Sequence, residues 1–273
     1  IYPSTIIRVM NIALLIPVAL GWLGGLLVNY LSDTLPRARR LSPPVCRNCE
    51  SQISWLDYLT LRNCQACGIV RSLRTWLTQF ILIASFLYVW LNPPKSLGLP
   101  LGLIVLLYFA VITVIDLEHR LILFPTSVFG ALLGLFSGTF LYYNGFQKPL
   151  LSAIGISLLG GAIGFGVMFL LYQFGAIVAR YRSKKMATEG LIDDEEEALG
   201  GGDVYLAGVL GLMLGSRFIM YGLAIGILFG GVVSLALVLA LFIQRRYTKN
   251  SLMTFIPYGP YLIAGAVYML FRP

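Results

Sequence analysis

Apolar residues gather along this chain in long runs separated by short polar stretches, and eight of these runs are predicted to be helices. They cover 12–31, 73–91, 101–115, 125–143, 150–179, 203–220, 221–243 and 252–271. Most hold about 20 residues, enough to cross roughly 30 Å of hydrocarbon at about 1.5 Å per residue. The third is short for a crossing, so it is expected to start before Leu101 or to sit inside the bundle. Only the polar stretch after the first run is large enough to fold separately. The pattern predicts an all-α polytopic membrane protein of about eight transmembrane helices with a small loop domain. Its expected divisions are a first helix at 1–32, a loop domain at 33–72 and a seven-helix domain at 73–273. No internal repeat is visible.

Composition strengthens this picture. Of 273 residues, 58% are hydrophobic and 12% charged, with a mean hydropathy of +0.83, whereas soluble domains carry about 25% charged residues. A net charge of +8 raises nucleic acid as a partner. The basic residues instead fall in short loops, among them Arg37, Arg39, Arg40, Arg180, Arg182, Lys184, Lys185, Arg245 and Arg246, where they set orientation in the membrane. Nucleic-acid binding is therefore not expected. The positive-inside rule puts these loops in the cytoplasm and both termini outside. The opening Ile1 to Arg8 lacks a basic n-region and a small-residue cleavage site, so the first run is expected to remain as an anchor. In this topology all 12 acidic residues fall on or near the cytoplasmic side. Gly160, Gly161, Gly164 and Gly166 are read as packing residues that let helix backbones approach.

All 4 cysteines lie in the polar loop, as Cys46-Arg-Asn-Cys49 and Cys64-Gln-Ala-Cys67 with fourteen residues between the pairs. This spacing suits a tetrahedral zinc ion held by four thiolates, a closed structural site with no position left for substrate. Two disulfides are the competing reading, disfavoured in a loop expected to face the reducing cytoplasm. Pro43, Pro44 and Gly68 around the knuckles suit tight turns.

Two carboxylates stand at ends of apolar runs. Asp203 follows Gly200-Gly201-Gly202 and opens a run, and Asp116 closes another in Val114-Ile115-Asp116-Leu117-Glu118-His119. A carboxylate at such a place is costly and marks function. Peptide hydrolysis by paired aspartates needs one ionised to take a proton from water and one protonated to hydrogen-bond the carbonyl, a state that like-charge repulsion creates. The glycines leave the backbone free for positive φ and for the approach of an extended peptide. The competing readings are a plain N-cap for Asp203 and a solvated helix end for Asp116, with Glu118, His119 and Arg120 in its turn. His119 is read as a surface residue. The acidic run Asp193 to Glu197 near Asp203 reads either as an attractor for a basic peptide or as a solvated loop.

Taken together, these segments resemble the bacterial type IV prepilin peptidases, membrane aspartyl proteases of the Gly-x-Gly-Asp kind. Gly24 to Asn29 with Leu35-Pro36-Arg37 resembles the family's opening helix, and the two cysteine pairs resemble its zinc motif. Ile115 to His119 and Glu197 to Asp203 resemble its two catalytic segments, and Ile256 to Leu262 with Gly265-Ala266 its last helix. The resemblance implies Asp116 and Asp203 as the catalytic pair and Cys46, Cys49, Cys64 and Cys67 as zinc ligands. Gly200, Gly201 and Gly202, which leave room for a peptide, and Glu197 of the acidic run are the candidate substrate contacts, and the resemblance implies S-adenosylmethionine as cosubstrate of an accompanying N-methyltransferase. Prepilins and pseudopilins are the implied substrates, and the bacterial inner membrane the implied site. Two departures stand out: Tyr205 occupies a place where the family often has lysine, and Pro125 follows Asp116 two residues later than usual. A proton-coupled transporter, a peptidase for archaeal preflagellins and a non-catalytic zinc-ribbon scaffold of a secretion complex are the rival readings.

Overall fold

A computed structural model describes residues 3–188, 200–243 and 257–272, and side-chain burial is described from Ala13 onward within most of them. Among the described residues are α1 (Pro3–Ala38), α2 (Trp55–Leu59), α3 (Leu73–Leu91), α4 (Gly98–His119), α5 (Phe124–Phe140), α6 (Leu150–Thr188), α7 (Gly201–Ile243) and α8 (Gly259–Leu270), with a π-helical turn at Leu141–Gly145 after α5. Six of these helical stretches are long and apolar enough to cross a membrane. Large apolar side chains on them, such as Phe80, Leu151, Leu170 and Phe174, are exposed. Such faces are at ease against lipid and costly against water. The chain is a multi-pass membrane protein, and it divides into two compact units at Arg120.

In the first unit α1 packs on α3 and α4. Backbones come close because α1 carries glycine at the contacts. A Cβ on Gly21 would stand 2.7 Å from Ile83 Cα, and one on Gly25 would overlap the Gln79 amide. Asn29, Ser32 and Gln79 are wholly buried beside this seam, with Asn29 Nδ2 donating to the Thr75 carbonyl at 3.3 Å. α1 extends past the predicted end at Leu31 to Ala38. The buried Thr34 hydroxyl donates to the Tyr30 carbonyl at 2.7 Å, and Arg37 lies in the last turn, where a cation suits the helix dipole. α4 begins at Gly98, before Leu101 as expected, and reaches crossing length.

The second unit is built around α7. A straight helix of 43 residues would run about 65 Å, twice the hydrocarbon thickness. It is instead broken at Gly215, with φ 68° and ψ 172°. The Cδ1 of Leu214 lies 2.7 Å from where a Cβ on Gly222 would sit, although eight residues of straight helix span about 12 Å. The chain therefore turns sharply there. Two helices were expected over this stretch with a break after Met220, and the break falls five residues earlier. The reason is local: the Tyr142 hydroxyl donates to the Leu214 carbonyl at 2.8 Å, satisfying an acceptor freed by the break, and the Tyr142 ring fills the space that a side chain at 215 would need. With α7 counted as two arms, the described residues hold eight apolar helical arms, the twelve-residue α8 among them.

The first arm, 201–214, lies against α5 and α6. Cβ atoms on Gly160 and Gly164 would overlap the backbone of Gly211 and Ala207, and one on Gly161 would reach 2.7 Å from Leu212. Gly166 meets nothing within 4 Å, so it is not a packing residue as expected. Successive glycines at 160 and 164 lie on one face, and Gly166 is turned away from it. The Ser157 hydroxyl donates to the Leu212 carbonyl at 2.6 Å. The second arm, 216–243, packs on α8, where a Cβ on Gly226 would stand 2.9 Å from Leu262 Cα.

Candidate active site and metal centre

Asp116 lies in the last turn of α4 in the first unit, and Asp203 in the first turn of α7 in the second. They are 4% and 8% exposed, and among the described residues they are the only buried carboxylates. A solvated helix end does not describe Asp116. Asp203 is the third residue of its helix, its amide donating to the Gly200 carbonyl at 3.1 Å, and is not the N-cap. Both carboxylates are placed at helix ends, where the apolar pattern stops.

The glycines before Asp203 divide into two kinds. Gly200 is exposed and Gly201 has open space around it, whereas a Cβ on Gly202 would stand 2.9 Å from Ile122 Cβ. Gly202 is thus a packing glycine. None of the three takes the positive φ expected of them, because α7 already begins at Gly201; the described glycines with positive φ are Gly68, Gly98 and Gly215. Glu197 and the acidic run 193–197 lie outside the described residues. Tyr205 is half-exposed, with its ring 6.0 Å from that of Phe165.

The four cysteines converge, with all Sγ atoms within 4.8 Å of one another. Cys46 and Cys67 are 3.7 Å apart, as are Cys49 and Cys64. A disulfide would need about 2.05 Å, and all four thiols are free. Tetrahedral coordination with metal–sulfur bonds of about 2.3 Å would separate the sulfurs by about 3.8 Å. The donor set therefore fits a tetrahedral thiolate metal.

The two knuckles repeat one backbone turn. The Glu50 amide donates to the Cys46 carbonyl at 3.0 Å, and the Gly68 amide to that of Cys64 at 2.8 Å. Both closing residues have positive φ, 56° and 67°. Glycine takes this conformation freely, whereas Glu50 pays for it in strain. The Ser51 hydroxyl and then the Cys67 backbone amide pull the Cys64 thiol down to about 6. At Cys67 a backbone hydrogen bond near Ile69 acts downward, but burial and the three neighbouring thiols carry it up to about 11. Unequal thiols in one cluster are what crowding of like groups produces.

Beside the first knuckle lies a group of charges that no single motif announces. Arg47 places Nη1 at 3.1 Å from Glu118 Oε1 and Nη2 at 2.9 Å from Oε2, with Nε 3.5 Å from Asp33 Oδ1. Arg74 pairs with Asp33 and puts Nε 3.2 Å from Glu118 Oε1. Burial works against the Arg47 cation, but Glu118 and Asp33 outweigh it and hold its pKa above the ordinary arginine value. His119 is half-buried, with Nε2 3.9 Å from Glu118 Oε2, and is not the free surface residue expected. The available signal is charge at three apolar boundaries, at Asp33, Arg74 and Glu118, with Arg47 inside the polar loop.

Comparison with known proteins gives a consistent picture. Residues 101–235 match the model of the type IV leader peptidase family. The prepilin leader peptidase/N-methyltransferase of Myxococcus xanthus (strain DK1622) is 25% identical over 241 residues, covering 85% of this chain. The chain spans 65% of that relative's length. No solved structure matches.

Proposed function

Through residues 101–235 this chain belongs to the type IV leader peptidase family, and we propose that it is an aspartyl endopeptidase removing the leader of type IV prepilins and pseudopilins. The observation that carries this reading is that the only buried carboxylates among the described residues, Asp116 and Asp203, both lie within the matched segment. One takes a proton from water while the other, protonated, hydrogen-bonds the scissile carbonyl. Gly200 and Gly201 leave room for an extended peptide beside Asp203, and Glu197 completes the proposed substrate contacts, whereas Gly202 packs against Ile122. The substrate's apolar segment lies in the membrane and its leader in the cytoplasm, on the side where the positive-inside rule puts the loops. That side belongs to the inner membrane in this reading.

Residues 33–72 form the metal-binding domain and 73–273 the peptidase domain. Cys46, Cys49, Cys64 and Cys67 hold zinc, which closes the loop and supplies no chemistry to hydrolysis. A loop with few apolar residues gains its order from such a staple. The relative's name extends the proposal to N-methylation of the new amino terminus with S-adenosylmethionine.

The test is co-expression with a prepilin, followed by mass measurement of the mature amino terminus. Cleavage that vanishes in both Asp116→Asn and Asp203→Asn is the expected result. Full cleavage in either variant would overturn the catalytic assignment, and proton-driven uptake in liposomes without cleavage would favour a transporter.

A further inference from the structure

Four chain segments meet at the charge cluster of the first unit: the end of α1 with Asp33, the first cysteine knuckle with Arg47, the start of α3 with Arg74 and the last turn of α4 with Glu118. Their side chains are 16%, 36%, 18% and 21% exposed in that order. Two cations meet two carboxylates, so the cluster is neutral. Glu118 is the residue that needs an explanation. A carboxylate in the last turn of a helix opposes the dipole, and its two arginine partners offset that penalty. The bidentate fork of Arg47 also fixes orientation in a way that a point charge does not.

Glu118 is two residues from Asp116 on the final turn of α4, which ends at His119, with Arg120 at φ 51°. Residues two apart on a helix do not face each other. Glu118 therefore acts on Asp116 by fixing the rotation and wind of the turn both share. Arg47 lies directly after Cys46, inside the loop that the thiol cluster orders. We infer that the Arg47–Glu118 pair is a strut through which the cysteine loop positions Asp116, making both its members positioning residues of the peptidase. This rests on the function proposed above and changes one expectation of it: the loop serves proteolysis as well as its own fold.

The experiment uses the full chain in detergent with Arg47→Met, Glu118→Gln, the double variant and Arg47→Lys. Metal content, thermal unfolding, and kcat and KM for a prepilin peptide are measured in each. Each single variant is expected to keep its metal and its KM within about twofold and to lose about tenfold in kcat. The double variant is expected to be no worse than the poorer single, and Arg47→Lys to recover part of the loss, since it restores charge without the fork. Full kcat in either single variant, or losses that multiply in the double, overturns the strut. If the wild type cleaves no prepilin peptide, the proposed function fails, and the same cycle read in Tm still decides the pair: coupled shifts support it and additive shifts overturn it.

Discussion

Both units bring helix backbones together at glycines, and among the described residues only the first adds a cluster of charges. At its polar end the first is tied by charges, with Asp33, Arg47, Arg74 and Glu118 drawn from four segments. The second is tied by the absence of side chains, with Gly160 and Gly164 bringing α6 onto the backbone of the first arm of α7. The difference follows from the surroundings. Where water reaches, partly buried ion pairs with good geometry tolerate their desolvation. Within hydrocarbon, lipid supplies no hydrophobic drive between helices, so close backbone contact takes its place. Each unit holds one buried aspartate.

The largest expected effect makes the units equal. Asp116→Asn and Asp203→Asn should each reduce cleavage by at least about 10³-fold, with the unfolding temperature in detergent nearly unchanged. Loss in only one of the two would mean that the other aspartate is not catalytic.

Packing separates them next. Gly164→Leu should destabilise the second unit by about 3 kcal/mol or more, because its side chain meets the Ala207 carbonyl. Gly166→Ala, in open space, should be neutral or slightly stabilising. Thermal unfolding of the two variants side by side checks this, and equal losses would refute the assignment of face.

Metal removal should act on the first unit alone. Chelation, or Cys46→Ser, should abolish a stoichiometry of one zinc per chain and open the loop to trypsin at Arg62 and Arg71, leaving the α6–α7 packing intact. Acid should loosen the metal-free loop further. The Cys64 thiol is lowered to about 6 from an ordinary value of 9.0, so its thiolate favours the folded loop fully above about pH 9 and loses that effect as pH falls through 6. Trypsin cleavage of the metal-free loop across that range reads the sign.

The smallest effect tests whether the two knuckles are one turn. Glu50→Gly should stabilise the first knuckle by about 1 kcal/mol, since glycine takes φ 56° without strain. Gly68→Ala should cost a similar amount at φ 67°. Metal-dissociation rates compare the two. The symmetry was half visible beforehand, since Gly68 announces a turn and Glu50 does not.

Charge clusters are the hardest feature to read along a chain. Asp33 and Glu118 are 85 positions apart, and each looks like an ordinary polar residue at the end of an apolar run. Only folding shows that one guanidinium serves both. The glycines of α6 are legible as small residues in an apolar run, but which of them face α7 depends on helix rotation, and Gly166 is turned away.

What the amino-acid sequence determined by itself were local things: the apolar lengths that make helices in lipid, the Cys-x-x-Cys spacing that brings two thiols to one turn, and the two aspartates that end apolar runs. Each follows from neighbours within a few residues. Tertiary structure alone decided that α7 breaks at Gly215, where Tyr142 supplies the missing hydrogen bond from 72 residues away. It alone decided that Asp116 and Asp203 are buried while the neighbouring Glu118 is ion-paired. The physical reason is the same in each case. A break or an ion pair persists only when a partner distant in sequence offsets its cost, and the burial of a carboxylate depends on the helices packed around it; neither is present in the local pattern.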